Sequence, residues 1–429
     1  MLQSQLFTKT QKEIPSEETN VGTKLLLRAG FIQKIAAGVY AMLPPGFRVL
    51  QKIENIIVKE MDNLGAQRIQ MNALVPRANW EKTGRWKTLD VLYKVKGKGN
   101  EEYGLGATHE EEVTPLVQKH VLSYKDFPFS VYQIQAKFRD ELRVKSGLLR
   151  TREFLMKDLY SFHVSQEDCD QYYERVKEAY FSIFKKAGLV QTTFLTLASG
   201  GTFSKFSHEF QTWCDAGEDT IYLCDNCGLA INNEIKSEFP KCPECGGDKF
   251  QEKKAIEVGN IFKLGTKYSA AFDFEARDTD GGKLPVLMAC YGIGLTRLMG
   301  TIAETWRDDA GLIWPESVTP FDAHLLKLSG RGNETNDEIE QTCQKIYQDL
   351  QKKGFSVLYD DRDQVSAGEK FADADLLGIP WRLVVSEKTL EKDSVEVKKR
   401  KEKDAKLIEI DKINNFLSQN PNPKAQNQI

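Results

Sequence analysis

The sequence predicts an α/β protein in three parts: a domain built on an antiparallel sheet over residues 1–315, a small four-cysteine insertion of zinc-ribbon type at 220–255, and a C-terminal α/β domain over 320–429. Three observations predict it. FRDELRVKSGLLRTREF (138–154) reads as two strands around a basic loop. Cys224-x2-Cys227 and Cys242-x2-Cys245 fall close together inside the chain. Beyond Pro315 and Pro320, which mark a linker, strand and helix patterns alternate regularly.

Composition sets the bounds. The chain has 429 residues, 41% of them hydrophobic and 28% charged, with a net charge of −3. That length suits roughly two or three domains. Such a balance excludes a grossly basic protein, yet a local basic patch is enough for a nucleic-acid ligand. MLQSQLFTKTQKEIPSEE has no apolar segment of signal-peptide kind, and no apolar run is long enough to span a bilayer. A cytoplasmic location without membrane contact is expected.

The elements follow in order. NVGTKLLLRAGFIQKIAA (20–37) has helical spacing, and GVYAMLPPG supplies a turn. FRVLQKIENIIVKEMDNLG repeats apolar residues at helical intervals and stops at Gly65, a C-terminal cap. AQRIQMNALVP reads as a strand ending at Pro76, and DVLYKVKGKGNEEYGLGAT as a hairpin turning at 96–100.

The stretch 138–154 sets Arg139, Arg143, Arg150, Arg152 and Lys145 against Asp140, Glu141 and Glu153. The bland reading is a solvated helix face. Charges two apart, as at 139 and 141, share a face on a strand but not on a helix. Gly147 stands where a hairpin turns, and REFLMKDLYSFHV resumes with apolar and aromatic residues. Two antiparallel strands joined by a basic loop are therefore expected. Guanidinium grips phosphate with a two-pronged fork, so arginines beside an acceptor carboxylate suit a nucleoside triphosphate.

SQEDCDQYYERVKEAYFSIFKKAG is a helix with Ser165 as its cap. A strand pair near AIEVGNIFKLG, a buried strand LPVLMACYG and a helix LTRLMGTIAETW complete the first domain. The C-terminal domain reads as strand AHLLKLS, helix NDEIEQTCQKIYQDLQKKG, strand FSVLYDD, helix GEKFADADLLG and strand WRLVVS. VKKRKEKD is a solvated turn in a last hairpin, and the tail NPNPKAQNQI is expected to be disordered.

Four of the eight cysteines, Cys169, Cys214, Cys290 and Cys343, are scattered. The other four, Cys224, Cys227, Cys242 and Cys245, form two C-x2-C pairs, each followed by glycine. In a reducing compartment this pattern predicts a tetrahedral zinc site. Four thiolates leave no open position, so nothing requires the zinc to be catalytic. CYGIGLTR invites a dinucleotide reading, but the third glycine is missing and no βαβ unit opens the chain. Gly292 and Gly294 still let backbone approach a base or ribose, with Arg297 aimed at phosphate.

These motifs carry a resemblance. FRDELRVKSGLLRTREFLMKD (motif 2, about 137–158), CYGIGLTRL (motif 3, about 289–299) and LGAQRIQMNALVP (motif 1, about 64–76) resemble the three motifs of class II aminoacyl-tRNA synthetases. Within that class, GATHEEEVTPLV, YQIQAKFRDELR, EFLMKDLYSFH, SHEFQ and ACYGIG resemble the prolyl-tRNA synthetases of bacterial type, across nearly the whole chain.

The resemblance implies ligation of L-proline to tRNA(Pro) at the expense of ATP, through prolyl-adenylate, in a homodimer. It implies Arg139 and Arg297 as catalytic residues, with Arg139 on the α-phosphate and the substrate carboxylate. Glu141 receives the adenine amino group, Phe154 stacks beneath the purine with Arg297 above, and Arg150 and Arg297 hold the far phosphates. Mg2+ is implied, with Glu209 or Gln211 as candidates beside ATP. Thr108 and Glu110 accept the secondary ammonium of proline, although Thr108 as a helix cap reads equally well. His163 is expected as pocket wall, His208 on the amine side and Cys290 as a small filler. Arg143 and Lys145 are placed at the tRNA acceptor end, where a solvated loop looks the same. The C-terminal domain resembles the anticodon-binding domain of the class, with Arg362 and Lys370 as candidate contacts. Ala107 stands where many relatives have proline, a departure that bears on the stiffness of the loop.

Many bacterial relatives carry a large editing domain between motifs 2 and 3, and here that interval holds the compact four-cysteine segment. Activation of alanine without hydrolysis of alanyl-tRNA(Pro) in cis is therefore expected, with correction left to a separate deacylase. The rivals are a threonyl or seryl sibling, a synthetase-like binding protein without chemistry, and a zinc-ribbon nucleic-acid module, which explains only the short insertion.

Overall fold

Strands Phe129–Phe138 and Glu153–His163, each with a continuous buried run, lie side by side in the larger unit. The two strands pair antiparallel with Gln133 opposite Asp158 and Lys137 opposite Phe154. The computed structural model describes the chain except for residues 14–17, 122, 145 and 421–429. Lys145 and most of the tail expected to be disordered thus lie outside the described residues. The chain divides into one unit of residues 35–40 and 53–301 and another of 1–34, 41–52 and 302–429.

The first unit holds a nine-stranded sheet in the order Phe206–Trp213, Thr193–Ser199, Ala230–Asn232, Asp219–Cys224, Phe250–Gly265, Leu287–Gly294, Glu153–His163, Phe129–Phe138, Gln67–Arg68. Its pairs are antiparallel, apart from Gln67–Arg68 on Phe129–Phe138 and Ala230–Asn232 on Thr193–Ser199. Phe206–Trp213 also pairs with Phe250–Gly265, so five strands close into a ring.

One face of the sheet carries the helix Gln166–Lys186, capped by Ser165, whose Oγ accepts from the Asp168 amide at 3.2 Å. Tyr172 and Tyr173 on it meet the Tyr291 ring at 6.1 and 5.9 Å between centroids. Cys290, one residue earlier, points to the opposite face and joins a cluster with Tyr160, Tyr268 and Met288. Burial on both faces makes these central strands rigid supports.

Several expectations are corrected. Residues 20–37 are helical only over Val21–Arg28. Gly30, at φ 69°, takes the left-handed conformation that ends a helix, and Ile32–Ala36 and Val39–Met42 follow as a hairpin. GVYAMLPPG is therefore strand and helix start, since the next helix is Pro44–Asn63 and proline is tolerated in a first turn. AQRIQMNALVP is two short strands. Gln67–Arg68 joins the large sheet, and Leu74–Pro76 joins a separate sheet with Lys94–Lys96 and Glu102–Leu105. Between them the Met71 amide donates to Gln133 Oε1 at 3.0 Å instead of to a neighbouring strand. The strand pair expected near AIEVGNIFKLG is one strand, Phe250–Gly265, long enough to serve three partners in turn.

The second unit carries a five-stranded sheet ordered Val357–Asp360, Ala323–Lys327, Trp381–Val385, Ser394–Lys399, Lys406–Glu409, parallel in its first three strands and antiparallel in its last two. Helices Asn333–Lys352 and Ala367–Leu377 alternate with its strands in sequence. Leu325, Ile339, Ile346, Leu350 and Leu383 form its core. The basic run VKKRKEKD spans the turn between the last two strands.

Candidate active site

Alternation along Glu153–His163 decides what faces the site. Phe154, Met156, Asp158 and Tyr160 line a cavity of about 220 Å³, together with Thr108, Glu110, Phe203, Cys290, Gly292 and Gly294. A second cavity of about 230 Å³ is lined by Glu141, Arg150, Glu218 and Asp219. Arg139, Glu257 and Arg297 border both.

Arg139 follows the last residue of Phe129–Phe138, and its amide donates to the Arg152 carbonyl at 2.8 Å. Its guanidinium lies over Phe154, 5.1 Å from the ring centroid. Burial, then repulsion from Arg297, weakens its hold on its proton relative to a free guanidinium. Arg297 extends from the first turn of Leu295–Thr305 and donates through Nη1 to Glu257 Oε2 at 3.0 Å. Arg150 clasps Glu141 Oε2 through Nε and Nη2 at 2.9 and 2.8 Å, and reaches Glu218 at 3.2 Å. A Cβ at Gly292 would find its nearest atom at Met156 Sδ, 3.7 Å away, so the space beside this backbone is cavity.

At the other end, Thr108 Oγ1 donates to Glu110 Oε2 at 2.5 Å. Thr108 is not the cap of Glu110–Gln118; His109 occupies that position without a side-chain bond, and the acidic first turn favours the helix dipole instead. His109 is fully buried and held between the Asn72 carbonyl at 2.9 Å and Lys137 Nζ at 2.6 Å. Burial and Lys137 lower it to about 4, so the ring is neutral, with Nδ1 accepting from the ammonium. Lys137 in turn pairs with Asp158 Oδ1 at 2.7 Å, and Tyr160 donates to Asp158 Oδ2 at 2.8 Å while accepting from the His109 amide at 3.1 Å. This network ties the 107–110 loop to the sheet. Burial and the Glu110 carboxylate push the Cys290 thiol well above its usual range, so it packs as a neutral filler.

Two models of known families match the chain. Residues 93–306 match the tRNA synthetase class II core domain (G, H, P, S and T), and residues 323–420 match the anticodon binding domain. Among curated relatives, the proline–tRNA ligase of Persephonella marina is 34% identical, over 97% of this chain and 100% of that protein. Those of Dehalococcoides mccartyi and Aquifex aeolicus are each 32% identical, over 96% and 97% of this chain and 98% of each of those proteins. The chain belongs to the proline–tRNA ligase family. A solved structure, Giardia lamblia prolyl-tRNA synthetase in complex with prolyl-adenylate, shares its fold at a TM-score of 0.77 and 19% identity, over 91% of this chain and 75% of that one.

Some residues expected in the site of this ligase lie elsewhere. His163 has the odd-numbered parity that faces the helix, where Nδ1 meets Asp168 Oδ2 at 2.5 Å and Nε2 meets Ser161 Oγ at 2.9 Å. His208 likewise meets the Tyr173 hydroxyl on that helix at 2.9 Å. Neither ring lines either cavity. Gln211 is one step removed: its amide donates to Asp219 at 2.7 Å and Glu209 at 2.9 Å, and of these Asp219 borders the second cavity. Arg362 and Lys370, expected at an anticodon, are turned inward to neutralise fully buried Asp360. Arg362 also bonds Asp373 at 2.8 Å, and Lys370 Nζ donates to the Lys327 carbonyl at 2.8 Å. Arg143 is exposed.

Sequence reasoning missed Glu257 and the Lys137–Asp158 pair. For Glu257 a signal existed: it is the lone charged residue in the stretch AIEVGNIF.

The ligand atoms of Cys224, Cys227, Cys242 and Cys245 all lie within 4.8 Å of one another. The Cys224–Cys245 and Cys227–Cys242 sulfurs are 3.6 and 3.5 Å apart. A zinc thiolate tetrahedron with bonds of about 2.3 Å has edges of about 3.8 Å. Gly228 and Gly246, at φ 77° and 73°, close each knuckle by donating to the Cys224 and Cys242 carbonyls at 3.0 and 2.9 Å. The four sulfurs therefore fit zinc.

Proposed function

We propose that this ligase condenses L-proline with ATP to prolyl-adenylate and transfers the prolyl group to tRNA(Pro), with the amino acid in the Thr108–Glu110 cavity and the nucleotide phosphates toward the Glu141–Arg150 cavity. The observation that carries this is the shared wall: Arg139 and Arg297 border both cavities, where a carboxylate and an α-phosphate must meet.

The proline carboxylate attacks the α-phosphorus in line and pyrophosphate leaves. No side-chain nucleophile is needed, so catalysis rests on positioning and fixed positive charge. Arg139, stacked on Phe154, offers donors to both the carboxylate and the phosphate. Phe154 offers its ring to the purine, and Glu141, held by Arg150, accepts the adenine amino group. Thr108 and Glu110 receive the two N–H donors of the secondary ammonium. Arg143 on the exposed loop serves the acceptor end of the tRNA, beside Lys145, which is outside the described residues.

Mg2+ fits the acidic group here. Burial and neighbouring Glu257 push Glu209 up to about 8, and the same two causes raise Asp219. Carboxylates that repel one another in this way favour a hard cation with oxygen ligands. Glu257 and Asp219 are the residues that would hold it, and Mg2+ there would neutralise phosphate charge. Zinc at the four cysteines would hold the insertion closed and take no part in chemistry. A homodimer is the assembly proposed from the motif 1 resemblance.

Editing in cis is absent in this reading. The Persephonella marina alignment runs over 568 positions against 429 residues here, so that relative carries segments this chain does not. A separate deacylase then clears alanyl-tRNA(Pro). ATP–pyrophosphate exchange with each of the twenty amino acids tests the reading: proline alone should give efficient exchange, alanine a weak one, and exchange led by any other amino acid overturns it.

A further inference from the structure

Behind the amino-acid cavity lies Arg85, a side chain that touches two of its walls and that none of the roles above uses. It comes from the short helix Arg85–Thr88 and is only 4% exposed. Its Nη1 donates to Glu110 Oε2 at 3.2 Å, to Glu111 Oε1 and Oε2 at 3.1 and 3.2 Å, and to the Tyr268 hydroxyl at 3.2 Å. The guanidinium also faces the Phe203 ring, 4.9 Å from its centroid. Glu110 and Phe203 both line the cavity.

Two carboxylates, 2% and 0% exposed, thus share one cation. Two such groups remain charged together out of water only when a fixed positive charge compensates them. Burial, with Glu110 adding to it and Arg85 opposing, already raises Glu111 to about 7. Thr83 Oγ1 donates to Glu111 at 2.8 Å and Thr108 Oγ1 to Glu110 at 2.5 Å, so hydroxyls complete the two acids but bring no charge.

We propose that Arg85 is a positioning residue for amino-acid recognition: it holds the Glu110 carboxylate in one orientation toward the substrate ammonium, and braces Phe203 on the same cavity. Arg85 itself does not line the cavity, so it acts through these two neighbours. Glu111 competes with Glu110 for the same nitrogen, Nη1, and is the acid whose removal relieves the loss of Arg85. This rests on the reading that Glu110 receives the proline ammonium.

The test is proline-dependent ATP–pyrophosphate exchange by the full-length chain and its Arg85→Met, Arg85→Lys, Arg85→Met/Glu111→Gln and Glu110→Gln variants, with melting curves for each. Arg85→Met should raise the proline KM roughly 10–100-fold with the ATP KM within about twofold, the loss expected for a charged hydrogen bond. The double variant should recover part of that loss, because one buried carboxylate replaces two, and Arg85→Lys should fall between Met and the parent. An unchanged proline KM in Arg85→Met, a parallel rise in both KM values, or a double variant no better than the single one overturns the proposal. If Arg85→Met does not melt cooperatively, Arg85→Lys decides, and a parental proline KM there overturns it. An unchanged proline KM in Glu110→Gln sinks the underlying reading of Glu110; a raised one beside a parental Arg85→Met sinks only the role of Arg85.

Discussion

Arg297 Nη1 stands 3.0 Å from Glu257 Oε2, and this pair, with Arg139, forms the wall common to both cavities. Three elements meet there: the end of Phe129–Phe138, the middle of Phe250–Gly265 and the first turn of Leu295–Thr305. Because two of them are strands of one sheet, each paired on both sides, the charged groups hold their positions before substrate arrives. Preorganised charge of this kind stabilises a transition state without reorganisation.

Arg139→Ala removes one of the two guanidinium groups that border both cavities. Adenylate formation should fall about 10²–10³-fold, the usual cost of one preorganised donor. Single-turnover formation of prolyl-adenylate measures it, with the melting temperature as control. Arg139→Lys should recover little, since an ammonium is a single point of charge without a fork.

What the sequence disclosed and what it hid divide along one line. Arg139, Arg150 and Arg297 were expected at one site from their residue type and Glu141 and Phe154 from the resemblance, and all five line one cavity or both. Cys224, Cys227, Cys242 and Cys245 were legible from their paired spacing, and their sulfurs do come together. Arg85 and Lys137 were not, since burial beside a carboxylate leaves no local trace in a charged residue's neighbours. His163 and His208 were misplaced because strand parity is fixed by register, and sequence does not show which face the cavity takes. The ring closed by Phe206–Trp213 on Phe250–Gly265 was invisible too: it depends on pairings between distant segments. The helix expected over 20–37 failed at Gly30, where apolar spacing continued but the backbone turned left-handed.

Glu257→Gln should raise the Mg2+ concentration for half-maximal pyrophosphate exchange several-fold, since a neutral amide binds a hard cation more weakly than a carboxylate. It also takes from Arg297 its charged partner. Titration of Mg2+ at saturating ATP and proline measures the shift. An unchanged Mg2+ dependence removes Glu257 from the proposed metal site.

Zinc removal should loosen the insertion rather than stop the chemistry directly. The purified chain should contain one zinc per molecule by elemental analysis. Serine at Cys227 or Cys245 should lower that content and the melting temperature together, because strands Asp219–Cys224 and Ala230–Asn232 join the large sheet beside the knuckles. Full melting temperature in zinc-free protein contradicts a structural role.

Two buried histidines predict loss of stability in acid. His109 is lowered to about 4 and His324 to about 3, both from 6.5 and both mainly by burial. Below pH 6.5 the unfolded chain takes up protons that the folded rings refuse. Stability therefore falls as pH drops through 6.5 toward 4, and these groups leave it flat above that window. Each is worth on the order of 3 kcal/mol across the window. Urea unfolding at several pH values should show the slope, and His324→Gln should flatten it in the unit that holds residue 324. Parallel slopes for parent and variant contradict the assignment.

Alanine is the discriminating substrate for the proposed absence of cis editing. It fits wherever proline fits; it lacks the two ring carbons Cγ and Cδ, and each methylene missing from an apolar pocket is worth only about 1–3 kcal/mol, or roughly 10–200-fold. The cavity walls that proline would touch, Phe203, Phe262 and Met156, are apolar and form no hydrogen bond that alanine would leave unmade. Exchange with alanine should therefore be measurable, at a kcat/KM lower than that for proline by about 10²–10⁴-fold. The mischarged product should then persist. Alanyl-tRNA(Pro) incubated with the purified chain should decay at the rate of the free ester, and prompt deacylation would show that hydrolysis has a site here after all.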